Sequence, residues 1–279
     1  ELVRLNPDSS YTRFQHGQDS WSFNNVPQAM WPISWTNYFH YQDGVVPDPF
    51  LNRPYPAESP FDSAKGWDFP DWPLFVRTFG YDHCYQPTWF GLDTDYNQFA
   101  TAKWKAIKGT WGGSCGGLSL STILGFDNRH SVVARYPSYP SSGNINGVAI
   151  SDSLRLIINE LQNHWDGKQH LDYFSSVENV RPRELINVVK EAFLNEDNDH
   201  RYLYISWKDA SGELSAHAIV PFKLERDSSR AGWYTVRVYD VSYPASNLTT
   251  VLIDSAGDSA LAPFWSPRKL ERATLMDPA

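Results

Sequence analysis

The spacing of apolar positions divides the chain into a helical part and a sheet part. Leu118, Leu120, Ile123, Leu124 and Phe126 recur at helical spacing, so residues 109–126, GTWGGSCGGLSLSTILGF, predict a buried helix that starts at Cys115. The preceding YNQFATAKWKAIK is moderately helical. Ser151 caps a run with Leu154, Leu156, Ile157, Ile158 and Leu161 at mostly helical spacing. Pro182, at a first turn, introduces a helix with Leu185, Val188, Val189, Ala192 and Phe193 on one face. From residue 201 the period falls to two. RYLYISW alternates, the turn KDASGE comes next, and His217 then opens the apolar run AHAIVPF. After the charged, turn-rich KLERDSSRAG, WYTVRVYD alternates again and ends on Asp240. This predicts a hairpin in which His217, early on one strand, meets Asp240 at the end of its partner. TTVLIDSAG predicts an edge strand. Helices first and antiparallel strands second is the α+β order of two halves facing across a cleft.

The remaining stretches carry weaker patterns. Residues 1–100 are rich in aromatics and prolines, which predicts loops, turns and short strands packed on the core and integrated with the rest of the chain. Trp21, Trp31, Trp35, Trp67, Trp72 and Trp89 suit either a sugar-stacking platform or buried area where regular structure is scarce, and the second is preferred. NRHSVVARYPSYPSSGNINGVAI reads as a polar loop with a short apolar run, and WDGKQ between His164 and His170 as a solvated turn. Residues 101–260 hold the chemistry, and 261–279 read as a wrapping tail.

Composition narrows the partners. The 279 residues are 41% hydrophobic and 20% charged, enough for a sizeable core, with no apolar run long enough to span a bilayer. A net charge of −8 without clustered Lys and Arg excludes nucleic acid as the expected partner. His16, His40 and His83 are scattered without the spacing of a metal motif, so neither metal nor cofactor is expected. The chain starts at Glu1, and a removed secretory segment is the expectation, which implies a secreted or extracytoplasmic location. Cys84 and Cys115 could form one disulfide; a chain of this length does not need it, and free thiols are expected.

Cys115 carries the candidate chemistry. At a helix start the unpaired N–H groups lower a thiol pKa, and Gly112, Gly113, Gly116 and Gly117 leave the backbone bare for a substrate carbonyl. A thiolate needs a base: His217 is the candidate, with Asp240 to fix its tautomer. His130 lies past the far end of the Cys115 helix and is rejected.

The order of Cys at a Gly-flanked helix start, His leading a strand and Asp closing the next resembles the papain-like cysteine peptidase superfamily. AHAIVPF, YTVRVYDVSYP and TTVLIDSAGD are most similar to bacterial, mostly extracytoplasmic papain-like proteins. The resemblance covers about half the chain, residues 104–258. It implies a papain-like fold and a cysteine peptidase or amidase acting on a peptide or protein substrate through a Cys115, His217, Asp240 triad and a thioester acyl-enzyme. Trp111, Gly113, Ser114 and Gly116 are then expected around the substrate carbonyl and the oxyanion. Two positions depart from the pattern: Ser242 stands where Asn is frequent, and Gly109 where such enzymes usually carry the Gln that binds the oxyanion. Gln98 has the wrong spacing to replace it, and Trp111 offers only an indole N–H. That gap keeps two alternatives open: a binding module with weakened chemistry, and transglutaminase- or deamidase-type acyl transfer.

Overall fold

The computed structural model describes residues 9–32, 35, 69–89, 91, 94–107, 111–127, 129–141, 144–177, 180–194 and 201–276. Within them the elements run β1 (Ser9–Tyr11), α1 (Pro27–Met30), α2 (Trp72–Phe79), α3 (Tyr81–Cys84), β2 (Tyr85–Pro87), β3 (Thr94–Tyr96), α4 (Gln98–Ile107), α5 (Cys115–Asp127), α6 (Arg129–Arg135), α7 (Asp152–Asn163), α8 (Lys168–Val177) and α9 (Pro182–Leu194). The strands of the main sheet come after them: β4 (Tyr202–Lys208), β5 (Leu214–Arg226), β6 (Trp233–Tyr239), β7 (Thr250–Asp254), β8 (Ser259–Ala262), β9 (Ser266–Lys269) and β10 (Arg272–Met276). The chain is thus mixed helix and antiparallel sheet.

Strand order is β10-β4-β5-β6-β7-β8-β9. β5 is the spine: residues 214–219 pair with β4, residues 220–226 with β6, and β1 takes the edge that β4 leaves along 223–225. The register slips between Pro221 and Lys223, where proline has no N–H to give the ladder. Leu270 N–H bonds Ala260 O at 2.8 Å and Glu271 N–H bonds Ser206 O at 2.9 Å, so the sheet curls until its two ends lie one residue apart.

Two cores result. Inside the curl, Leu203, Ile205, Ile219, Val236, Val238, Val251 and Ile253 pack with Leu185 and Val189 of α9. On the other face α5 and α7 pack against Ala218, Val220 and Tyr239, together with Trp21, Trp31 and Trp35. The middle of α5 is buried all round; Ser119, Ser121 and Thr122 are as inaccessible as Leu118. It tolerates this because Ser121 and Thr122 return their hydroxyls to Leu118 O, at 3.0 and 2.8 Å. The buried Trp21, Trp31, Trp35 and Trp72 are core rather than platform, whereas Trp89 is exposed. Trp67 and His40 lie outside the described residues.

Four expectations need correction. The polar loop after α5 contains α6, pinned by buried Val132, and the stretch from WDGKQ onward contains α8. TTVLIDSAG gives β7, which lies between β6 and β8 rather than at an edge. The wrapping tail supplies β9, β10 and the end of β8, because Ala273, Leu275 and Met276 are buried against β4 and its surroundings. No helix among the described residues is long and apolar enough to cross a membrane.

One buried charge ties the helical half together. Glu160 of α7 is only 4% exposed; it accepts from Arg77 Nε at 2.6 Å and from Tyr136 OH at 2.9 Å. Replacing Glu160 with alanine strands the Tyr136 hydroxyl and unpairs Arg77. Because Arg77 is half exposed, the expected loss is about 2 kcal/mol by urea denaturation rather than the full cost of breaking a buried pair.

Candidate functional site

The site lies where α5 meets β5. Cys115 is the first residue of α5, and the carbonyl of Ser114 takes the first bond of that helix from Leu118 N–H, at 2.9 Å. The loop before it is held from beneath. Ser114 is fully buried; its hydroxyl donates to Asn159 Oδ1 at 2.6 Å and accepts from the Trp111 indole N–H at 3.3 Å. Asn159 Nδ2 in turn donates to Met30 O at 2.9 Å, and Trp111 stacks on Phe69 with ring centroids 4.5 Å apart. Trp111 and Ser114 are therefore buried beneath the loop, where they brace it from below.

His217 sits early on β5 and Asp240 just past β6, as the hairpin requires. His217 Nε2 is 2.7 Å from Asp240 Oδ1, with His217 6% and Asp240 0% exposed. The same Oδ1 accepts from Ser242 N–H at 2.9 Å, so position 242 holds the carboxylate through its backbone and needs no particular side chain. Trp265 lies over the imidazole, ring centroids 5.6 Å apart. With Nε2 committed to Asp240, Nδ1 is the nitrogen left to exchange a proton with the Cys115 sulfur, which lies close enough for the two groups to shift each other's pKa.

The electrostatics are set by that row. Burial alone would push the Cys115 thiol up; the hydrogen bond and positive charge of His217, with backbone N–H contacts from Ala218 and Gly116, outweigh it and hold the pKa below that of an ordinary thiol. Burial likewise opposes a charged His217, but Asp240 and Cys115 outweigh it and push the ring up to about 9. Both shifts favour a thiolate and imidazolium pair at neutral pH. Cys84 shows the contrast: also a free thiol, it is buried among Trp72, Phe75 and Trp104, and desolvation pushes it up to about 12. The two cysteines are not bridged.

Cys115 itself is half-buried and flanked by an aromatic wall. A Cβ on Gly116 would fall 2.1 Å from Trp165 Cε2, so that indole lies directly on the residue after Cys115. Gly116 is thus needed for close packing against Trp165. The wall continues through Tyr204, 6.1 Å from Trp165, and Phe174, 5.0 Å from Tyr204. Trp165 also borders a hollow of ≈ 1200 Å³ whose lining includes Phe79, Leu124 and His170. Burial drives His170 down to about 4, leaving it neutral there. Among the described residues no three His, Cys, Asp or Glu side chains are grouped to hold a metal ion.

Sequence reasoning brought Cys115, His217 and Asp240 together but missed Trp165, Tyr204 and Trp265. Their only signal was aromatic character, shared with many core residues of this chain. Comparison with known proteins finds no matching family model, no matching curated protein and no matching solved structure.

Proposed function

We propose that this chain is a papain-like cysteine hydrolase, a peptidase or amidase that cleaves a peptide-like amide bond through a thioester acyl-enzyme. The observation that carries this reading is the grouping of His217, whose Nε2 lies 2.7 Å from Asp240 Oδ1, with the Cys115 sulfur at the N-terminus of α5, close enough for imidazole and thiol to shift each other's pKa. The Cys115 thiolate attacks the carbonyl carbon, and the Cys115 N–H and the helix terminus stabilise the oxygen as it becomes negative. His217 gives its Nδ1 proton to the departing amine as the C–N bond breaks, leaving a thioester. The neutral ring then takes a proton from water, whose oxygen attacks the thioester and frees the thiol. Asp240 positions the ring throughout. The aromatic wall beside Gly116 suits an acyl portion with apolar side chains.

The test uses p-nitrophenyl acetate, which demands little recognition. A p-nitrophenol burst with one acetyl group mapped to Cys115 is expected; a protein that is never acetylated there is not an acyl-transfer enzyme. Adding a primary amine decides the acceptor, since amide formation without hydrolysis would replace the hydrolase reading by transferase chemistry.

The pH dependence has a definite sign. His217 has a raised pKa, so below about 9 it is a cation able to donate a proton, and above about 9 it is not. Hydrolysis of denatured casein, whose leaving amine needs that proton, is expected to fall as pH rises through about 9. Iodoacetamide alkylation of Cys115, which needs only the thiolate, is expected to hold or rise over the same range.

A further inference from the structure

A developing oxyanion bound only by the Cys115 N–H is incompletely stabilised, since removing one donor from such a site costs about 10²–10³ in rate. We propose, resting on the acyl-transfer reading above, that the second donor is Asn25, through Nδ2, supplied from the segment ahead of α1 rather than from the loop ahead of Cys115.

The carboxamide of Asn25 is locked onto the loop that presents the nucleophile. Its Oδ1 accepts from Ser114 N–H at 2.7 Å. A backbone N–H only donates, so the oxygen must face Ser114, and Nδ2 is turned to the other side of the amide. The amide lies on Gly113: a Cβ there would sit 2.9 Å from Asn25 Oδ1 and 3.0 Å from Nδ2. Gly113 also has φ +142, a conformation that side chains rarely adopt, so glycine at this position serves both the backbone turn and the approach of the amide.

Asn25 is held from a second direction. Its backbone N–H donates to Val241 O at 2.9 Å, and Val241 directly follows Asp240. The residue therefore spans from the turn that holds the third triad member to the loop that holds the first. Among the described residues Nδ2 has no acceptor, and it is not sealed from solvent. A rigid amide with one end satisfied and an open N–H pair against the loop that presents Cys115 is a preorganised donor. It fills the gap left by Gly109.

The test compares two reactions of the intact protein at one pH: acylation by p-nitrophenyl acetate, which creates an oxyanion, and alkylation by iodoacetamide, which does not. In Asn25→Ala, acylation is expected to fall about 100-fold while alkylation stays within about twofold. Asn25→Asp keeps the acceptor for Ser114 N–H but replaces the donor with an anion, so its acylation relative to alkylation is expected to fall at least as far. If acylation and alkylation fall in proportion in Asn25→Ala, or if Asn25→Asp retains acylation, Asn25 is a strut and the proposal is overturned. Slow alkylation or absent acetylation of the wild-type protein would instead overturn the acyl-transfer reading, and this assignment with it.

Discussion

Replacing His217 with alanine is expected to slow iodoacetamide alkylation of Cys115 at pH 6 by about 10- to 100-fold and amide turnover by about 10⁴-fold. The two magnitudes differ because the residue does two jobs. A thiol with pKa about 8.5 is only about 0.3% thiolate at pH 6, and without His217 the burial of Cys115 pushes it higher still. The paired sulfur is held below the pKa of an ordinary thiol, so the wild-type protein starts with a larger thiolate share. Part of that gain is offset, since a more acidic thiol is a weaker nucleophile by a Brønsted slope of about 0.4–0.5. Amide cleavage loses the same thiolate and also the proton donor for the leaving amine, which is worth about 10²–10⁴. Stopped-flow alkylation and casein hydrolysis on the same preparations read the two numbers. Asp240→Asn, which keeps an acceptor for Nε2–H, is expected to cost less than His217→Ala. Equal alkylation rates at pH 6 in wild type and His217→Ala would show that the hydrogen-bonded pair does not activate the sulfur.

How much of this was legible in the chain depends on the range of the physics involved. The start of α5 at Cys115 and the meeting of His217 with Asp240 are set by local pattern: apolar spacing on one side, a hairpin and its turn on the other. The same holds for α7, where the Ser151 cap accepts from Leu154 N–H at 3.2 Å. What escaped is held by partners distant in sequence. α8 has no fully buried residue and a polar sequence, so its helical form owes more to docking than to an apolar stripe. β10 joins the sheet through Ala273 and Leu275, whose partners on β4 lie some seventy residues earlier. Asn25 reaches Ser114 across 89 positions, and nothing near residue 25 signals the loop it will lie on. The pairing of His217 with Asp240 could be read from sequence, whereas Asn25 and the aromatic groups packed around Cys115 could not.

Replacing Gly117 with alanine is expected to destabilise the protein by about 3 kcal/mol or more, with Gly112→Ala as a nearly neutral control. Helix propensity argues the opposite way at Gly117. It lies within the first turn of α5, where alanine is favoured over glycine by about 1 kcal/mol. Packing decides the sign. A Cβ on Gly117 would meet Ile158 O at 2.0 Å and Gln162 N at 2.9 Å, both backbone atoms of α7, and backbone inside a packed helix cannot yield as a side-chain tip can. Relief requires α5 to move off α7, which would open the core between Leu118 and Ile158 and stretch the 3.0 Å bond from Gly117 N–H to Gln162 Oε1. Gly112 has nothing within 4 Å of its Cβ position and no positive φ, so alanine there meets neither clash nor strain. Because Gly117 lies two residues after Cys115, any variant that still folds should also misplace Cys115 relative to His217. Urea denaturation gives the stability difference, and the pH 6 alkylation rate of the folded fraction reports the displacement. A Gly117→Ala protein as stable as the wild type would show that the two helices do not meet backbone to backbone, removing the support that fixes the sulfur against the imidazole.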